Sequence, residues 1–269
     1  MPERADHDLA VLREAARART PARILVGRAG PAYRTATQLE LREDLAAASD
    51  AVQFEVDLER DLGRALLDHH KLFEVSTRAA TKAEYLMRPD LGRSFTRMAR
   101  EEIVRRSPTG PDLQLVLGDG LSGAALVKQA PALLAALEAG AGARAWRFGQ
   151  PFFVRHCRVG ILNEIGELLD PTVAVLLIGE RPGLSTAESL SAYMAFRPRP
   201  GHRDARRNLI SNIHARGVAA GEAVRRILAL AERMMREGMS GVSLKEELPA
   251  AEPPRSLRGQ GAEGGDDEP

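Results

Sequence analysis

The sequence predicts an α/β fold: a helical stretch followed by a parallel sheet flanked by helices. Three observations carry this expectation. Short apolar runs alternate with helical segments after residue 112, the pattern of βαβ units. A glycine-rich turn, Gly118–Gly123, joins one such run to a good helix former. A third run, Val173–Ile178, stops abruptly at Gly179-Glu180-Arg181-Pro182-Gly183, and in open α/β sheets ligands sit beyond such strand ends.

From the N-terminus, His7–Arg19 has helical apolar spacing (Leu9, Val11, Leu12, Ala15, Ala16), and Thr20-Pro21 ends it, because the residue before proline avoids the α region. Ile24–Arg34 is glycine-punctuated and reads as a docking loop. Thr37–Leu66 reads as one or two helices through Leu39, Leu41, Leu45, Val52, Phe54, Val56 and Leu62. Thr81–Arg105 is helical again, interrupted at Pro89-Asp90-Leu91-Gly92.

Ser107-Pro108-Thr109-Gly110-Pro111 is a breaker cluster and marks a domain boundary. The expected division is 1–108, helical; 109–245, sheet-bearing; and 246–269, a tail. Strands are predicted at Leu113–Leu117, Phe152–His156, Val173–Ile178 and Ser191–Phe196. Helices are predicted at Ala124–Leu137, Ile161–Leu169 and Gly221–Glu237. The tail from about Leu248 is rich in Pro, Gly, Glu and Asp and lacks the apolar residues needed to offset ordering entropy.

Composition narrows the function classes. The formal net charge is +1, so no bulk attraction to nucleic acid or an anionic membrane is expected. No apolar run approaches the length of a bilayer span, and the first residues lack a signal-peptide core. The single cysteine, Cys157, points to a reduced cytoplasmic protein.

Motifs for chemistry are sparse. Gly118-Asp119-Gly120-Leu121-Ser122-Gly123 fits G-x-G-x-x-G, but no acid stands at the end of the next strand and no phosphate-binding lysine follows. A tight turn is the simpler reading. His69, His70, His156, His202 and His214 are scattered without metal-ligand spacing. His214 reads as a satisfied loop histidine before the last helix. Asp68-His69-His70-Lys71-Leu72-Phe73 only grazes the D-x-H-x-x-G motif, with Phe73 at the glycine position. Ser122 has no nucleophile elbow around it, and Cys157 reads as an apolar filler. No catalytic set and no metal site emerges. The chain reads as one that holds something.

Several blocks, in order, resemble one known family: Ala22–Arg34 (ARILVGRAGPAYR), Glu84–Gly92 (EYLMRPDLG), Leu115–Ser122 (LVLGDGLS), Pro151–Glu167 (PFFVRHCRVGILNEIGE), Val175–Tyr193 (VLLIGERPGLSTAESLSAY), Leu209–His214 (LISNIH) and Ser240–Lys245 (SGVSLK). The chain resembles the small (light) subunits of ethanolamine ammonia-lyases. The resemblance implies a helical N-terminal region contacting a large subunit and a Rossmann-like cobalamin-binding domain. It implies adenosylcobalamin as cofactor, held between this chain and a catalytic large subunit with its own base on cobalt. It further implies cobalamin contacts at Val159, Glu180 and Leu209, the last standing where relatives often carry cysteine. Whether such an enzyme sits in a bacterial microcompartment is left open. Without the resemblance, the residues also allow a standalone nucleotide-binding or hydrolase-like domain built on Gly118–Ser122 and His214, or a pure scaffold.

Overall fold

The computed structural model of the chain describes residues 11–16, 18, 26, 28–183 and 186–246. Of the helix expected over His7–Arg19, residues 11–16 are helical. The expected tail lies outside the described residues.

The stretch read as a docking loop contains a small hairpin, β1 (Arg28–Ala29) with β2 (Ala32–Tyr33), turning at Gly30 with φ +61°. The helical stretch then divides more finely than expected. Helix α1 (Thr35–Gln53) buries only Ala51. Helix α2 (Leu58–Leu62) is capped by Asp57, whose side chain accepts the Arg60 N–H at 2.9 Å. Gly63, at φ +83°, separates it from α3 (Arg64–His70). Helices α4 (Lys82–Met87) and α5 (Arg97–Arg106) carry threonine caps, Thr81 and Thr96. The break between them falls where Pro89 and Gly92 predicted it.

Two strands of the six-stranded sheet escape the sequence reading. Strand β3 (Phe73–Ser76) precedes the breaker cluster, yet it pairs in parallel with β5 (Phe152–Arg155) and forms one sheet edge. It spans four residues, too few for a clear period. Strand β8 (Asn208–Ile213) forms the other edge. Its adjacent polar Ser211 and Asn212, both exposed, hide it.

The remaining strands fall where expected: β4 (Leu113–Gly118), β6 (Val173–Gly179) and β7 (Leu190–Phe196). The six-stranded sheet runs in the order β3-β5-β4-β6-β7-β8. The first four are parallel, whereas β7 and β8 are antiparallel to their neighbours. The sheet is thus mostly parallel, as expected, with antiparallel pairing added at the β7–β8 edge. Among the described residues no helix lies between β6 and β7, and the chain returns as an antiparallel strand.

Alternate residues of β4 and β6 enter different cores. Leu115, Leu117, Val175 and Leu177 pack beneath α6 (Gly123–Gly142) and α8 (Ala220–Glu237). Val116, Leu176 and Ile178 face the opposite way, toward Ile103 of α5 and Ile165 of α7 (Leu162–Leu169). Both strands are buried throughout, which explains their unbroken apolar sequence. Helix α6 follows β4 on one face and α7 follows the adjacent β5 on the other. A crevice opens at the carboxyl ends of strands whose connections part in this way.

Candidate functional site

That crevice holds a cavity of about 400 Å³, lined by Tyr85, Gly120, Leu121, Arg158, Val159, Ile178, Gly179, Glu180, Arg181, Ser191, Tyr193, Leu209 and Ser211. Val159, Glu180 and Leu209 therefore meet in one place. They reach it differently. Val159 opens a 3₁₀ turn after β5, and Glu180 directly follows β6. Leu209 lies within β8, in register with Tyr193.

Glu180 is held from three directions. Ser189 and Ser191 donate their hydroxyls to its two oxygens, each at 2.6 Å, and the Asn212 N–H donates to Oε1 at 2.8 Å. Its own N–H donates to the Ser189 carbonyl at 3.0 Å. A carboxylate offers about four lone-pair directions, so one remains for a ligand. The sequence reading missed both serines. Their i, i+2 spacing at the start of β7 was the available signal.

Next to the cavity-lining Gly120 and Arg158 lies a buried polar assembly. Asp119 follows β4 and is 3% exposed. Its oxygens accept the His156 and Cys157 N–H groups, both at 2.8 Å. Burial pushes its carboxyl up, against the pull of Lys82 and the two N–H donors. Lys82 is itself buried, its Nζ has no hydrogen-bond partner, and burial lowers its pKa. Asp119 thereby ties the turn after β4 to the turn after β5. Next to it, Gly120 adopts φ +59°, and a Cβ there would run into the Gly179 carbonyl. Only glycine allows this approach.

Tyr85 completes one wall. Its hydroxyl donates to the Cys157 carbonyl at 2.8 Å, its ring stacks near His156, and the Arg158 guanidinium lies 4.2 Å from the ring centroid. Burial raises its pKa strongly. At the other wall, Leu209 remains 46% exposed and Val159 is half-buried. Apolar side chains thus face an open cleft.

The remaining candidates have structural work. Ser122 accepts the Ala125 N–H as the cap of α6 and donates to the Ala187 carbonyl at 2.7 Å. Cys157 is fully buried against Gly118, and burial pushes its thiol up. His214 accepts the Arg216 N–H at Nδ1 and lies 2.8 Å from Asn212 Oδ1 through Nε2. His70 pairs with Glu138 at 2.6 Å at the end of α3. Among the described residues, no group of His, Cys, Asp and Glu could hold a metal ion, and no helix is long and apolar enough to cross a membrane.

Residues 12–245 match the family "Ethanolamine ammonia-lyase light chain (EutC)". The chain is 41% identical over 229 residues to an ethanolamine ammonia-lyase small subunit from Clostridium perfringens, covering 85% of this chain and 76% of that one. It is 42% identical to one from Clostridioides difficile, with the same coverage. It is 39% identical to one from Clostridium acetobutylicum, covering 85% and 92%. The chain belongs to the ethanolamine ammonia-lyase small-subunit family.

Proposed function

We propose that this chain is the small subunit of an adenosylcobalamin-dependent ethanolamine ammonia-lyase, which converts ethanolamine to acetaldehyde and ammonia. In this reading the cavity is one wall of a cobalamin site, and a large subunit supplies the other wall and the catalytic residues. The single observation that carries it is the convergence of Val159, Glu180 and Leu209, from three different elements, on one cleft.

The residues present fit the group. Cobalamin has an apolar corrin rim, primary amides and a ribose. Val159, Ile178 and Leu209 offer apolar surface at the cleft. Glu180 is fixed before any ligand arrives and has acceptor capacity to spare for an amide or hydroxyl. Such a charge-assisted bond contributes about 1.5–3 kcal/mol. The cleft is open, and a cavity of this size embraces only part of a corrinoid, which suits a site closed by a second chain. When bound, adenosylcobalamin supplies the radical that starts the reaction. This chain orients the cofactor and shields one edge of it from water.

A holding role also agrees with the fates of Ser122, Cys157 and His214, none of which is placed as a nucleophile or base. Within residues 1–108, the exposed α1 with Leu39 and Leu45, and the exposed Met87 and Met98, offer surface for the large subunit. The enzyme's setting would be cytoplasmic, or a bacterial microcompartment.

The test is reconstitution. The large-subunit partner with adenosylcobalamin should form acetaldehyde from ethanolamine only when this chain is added. Full activity without it would sink the proposal.

A further inference from the structure

A second cavity, of about 640 Å³, lies beside the first. Its lining includes Arg93, Gly160, Asn163, His202, Arg203 and Arg207. The cavities adjoin along two segments. Val159 lines the first and Gly160, the next residue, lines the second. Arg207, Leu209 and Ser211 are spaced two apart into β8 and share one sheet face. Leu209 and Ser211 line the first cavity, whereas Arg207 lines the second, about 13 Å along the strand from Ser211.

The second cavity has surplus positive charge. Of its acids, Glu164 is engaged by Arg100 and by the Phe95 N–H, and Asp204 pairs with Arg207. Arg93 and Arg203 have no ion pair among the described residues. The Arg207 side chain is 4% exposed, gives one further bond to Asn163, and keeps Nε without a partner. Burial lowers its pKa, with Asp204 opposing. A buried guanidinium with an unmatched donor is costly to keep, and an anion in the cavity would offset that cost.

We propose that this cavity binds a phosphate group, and that the phosphate is the phosphodiester of the cobalamin nucleotide tail. The assignment rests on the cofactor reading above. It explains why a mixed cleft, with the apolar Val159, Ile178 and Leu209 and a fixed carboxylate at Glu180, adjoins a pocket with surplus positive charge: the ligand has an apolar rim with amides at one end and an anion at the other. Arg93 and Arg203 supply the charge, and Arg207 and Asn163 brace the wall behind them.

The experiment compares two corrinoids on the reconstituted complex. Hydroxocobalamin carries the nucleotide tail and its phosphate; cobinamide has the same corrin and lacks both. Binding is followed by equilibrium dialysis for wild type and for the Arg93→Ala/Arg203→Ala double variant. Both side chains lie outside the internal hydrogen bonds described, so the variant is expected to fold, as circular dichroism checks. The variant should bind hydroxocobalamin about 10- to 100-fold more weakly and cobinamide as wild type does. Unchanged hydroxocobalamin affinity, or equal losses for both corrinoids, would overturn the inference while leaving the cofactor reading intact. Saturable binding of inorganic phosphate to the cobalamin-loaded complex would assign the cavity to free phosphate and overturn it too. Failure of the wild-type complex to bind either corrinoid would overturn both readings.

Discussion

The Glu180 carboxylate accepts the backbone N–H of Asn212 at 2.8 Å, joining the carboxyl end of β6 to the edge strand β8. Asn212 sits at φ +62°, a left-handed conformation that asparagine tolerates better than most residues. The residue we propose as a cofactor contact is thus also the one that ties down the wall carrying Leu209.

Glu180→Ala should weaken cobalamin binding by about 10-fold or more while changing turnover little at saturating cofactor. Titration of the reconstituted complex measures both. An unchanged binding isotherm would remove Glu180 from the site.

Asp119→Asn should destabilise the chain by about 1–3 kcal/mol. An amide can accept from one of the His156 and Cys157 N–H groups but presents its own NH₂ to the other. Chemical denaturation gives the loss. Wild-type stability would show that the bridge between the two turns is dispensable.

Cys157 should resist labelling in the folded protein. It is fully buried and burial pushes its thiol up, so both access and thiolate are lacking. A thiol reagent should modify one group per chain in denaturant and almost none in buffer. Rapid native labelling would contradict the packing of Cys157 against Gly118.

Acid should weaken the fold partly through His214. Burial, then Arg216, lowers its pKa below the ordinary value. Protonation therefore favours the unfolded chain. The contribution is full above about pH 6.5 and is lost as pH falls through the lower folded value. Between about pH 7.5 and about pH 5.5, the urea midpoint of wild type should fall further than that of His214→Gln. That difference isolates His214 from Asp119, whose raised carboxyl works in the opposite direction. Equal falls would remove His214 from the acid response.

Much of the architecture was legible because burial leaves a periodic trace. The unbroken apolar runs of β4 and β6 and the breaker residues around Pro89 and Gly92 announced their elements. Strands β3 and β8 were not legible. One is too short for a period to emerge, and the other is an edge whose adjacent Ser211 and Asn212 break the alternation and read as loop. The reversal of strand direction at β7 leaves no mark in periodicity.

The same division holds at the site. The sequence by itself determined the α/β class and the glycine-flanked strand end at Glu180. Its motifs supplied the family resemblance that singled out Val159, Glu180 and Leu209. Only the tertiary structure decided that these three share a cleft, that Ser189, Ser191 and Asn212 fix the glutamate, and that Asp119 holds the opposite turn. Periodicity records which face a residue buries. It does not record which strand lies alongside, and that adjacency, set by sheet order, builds the site.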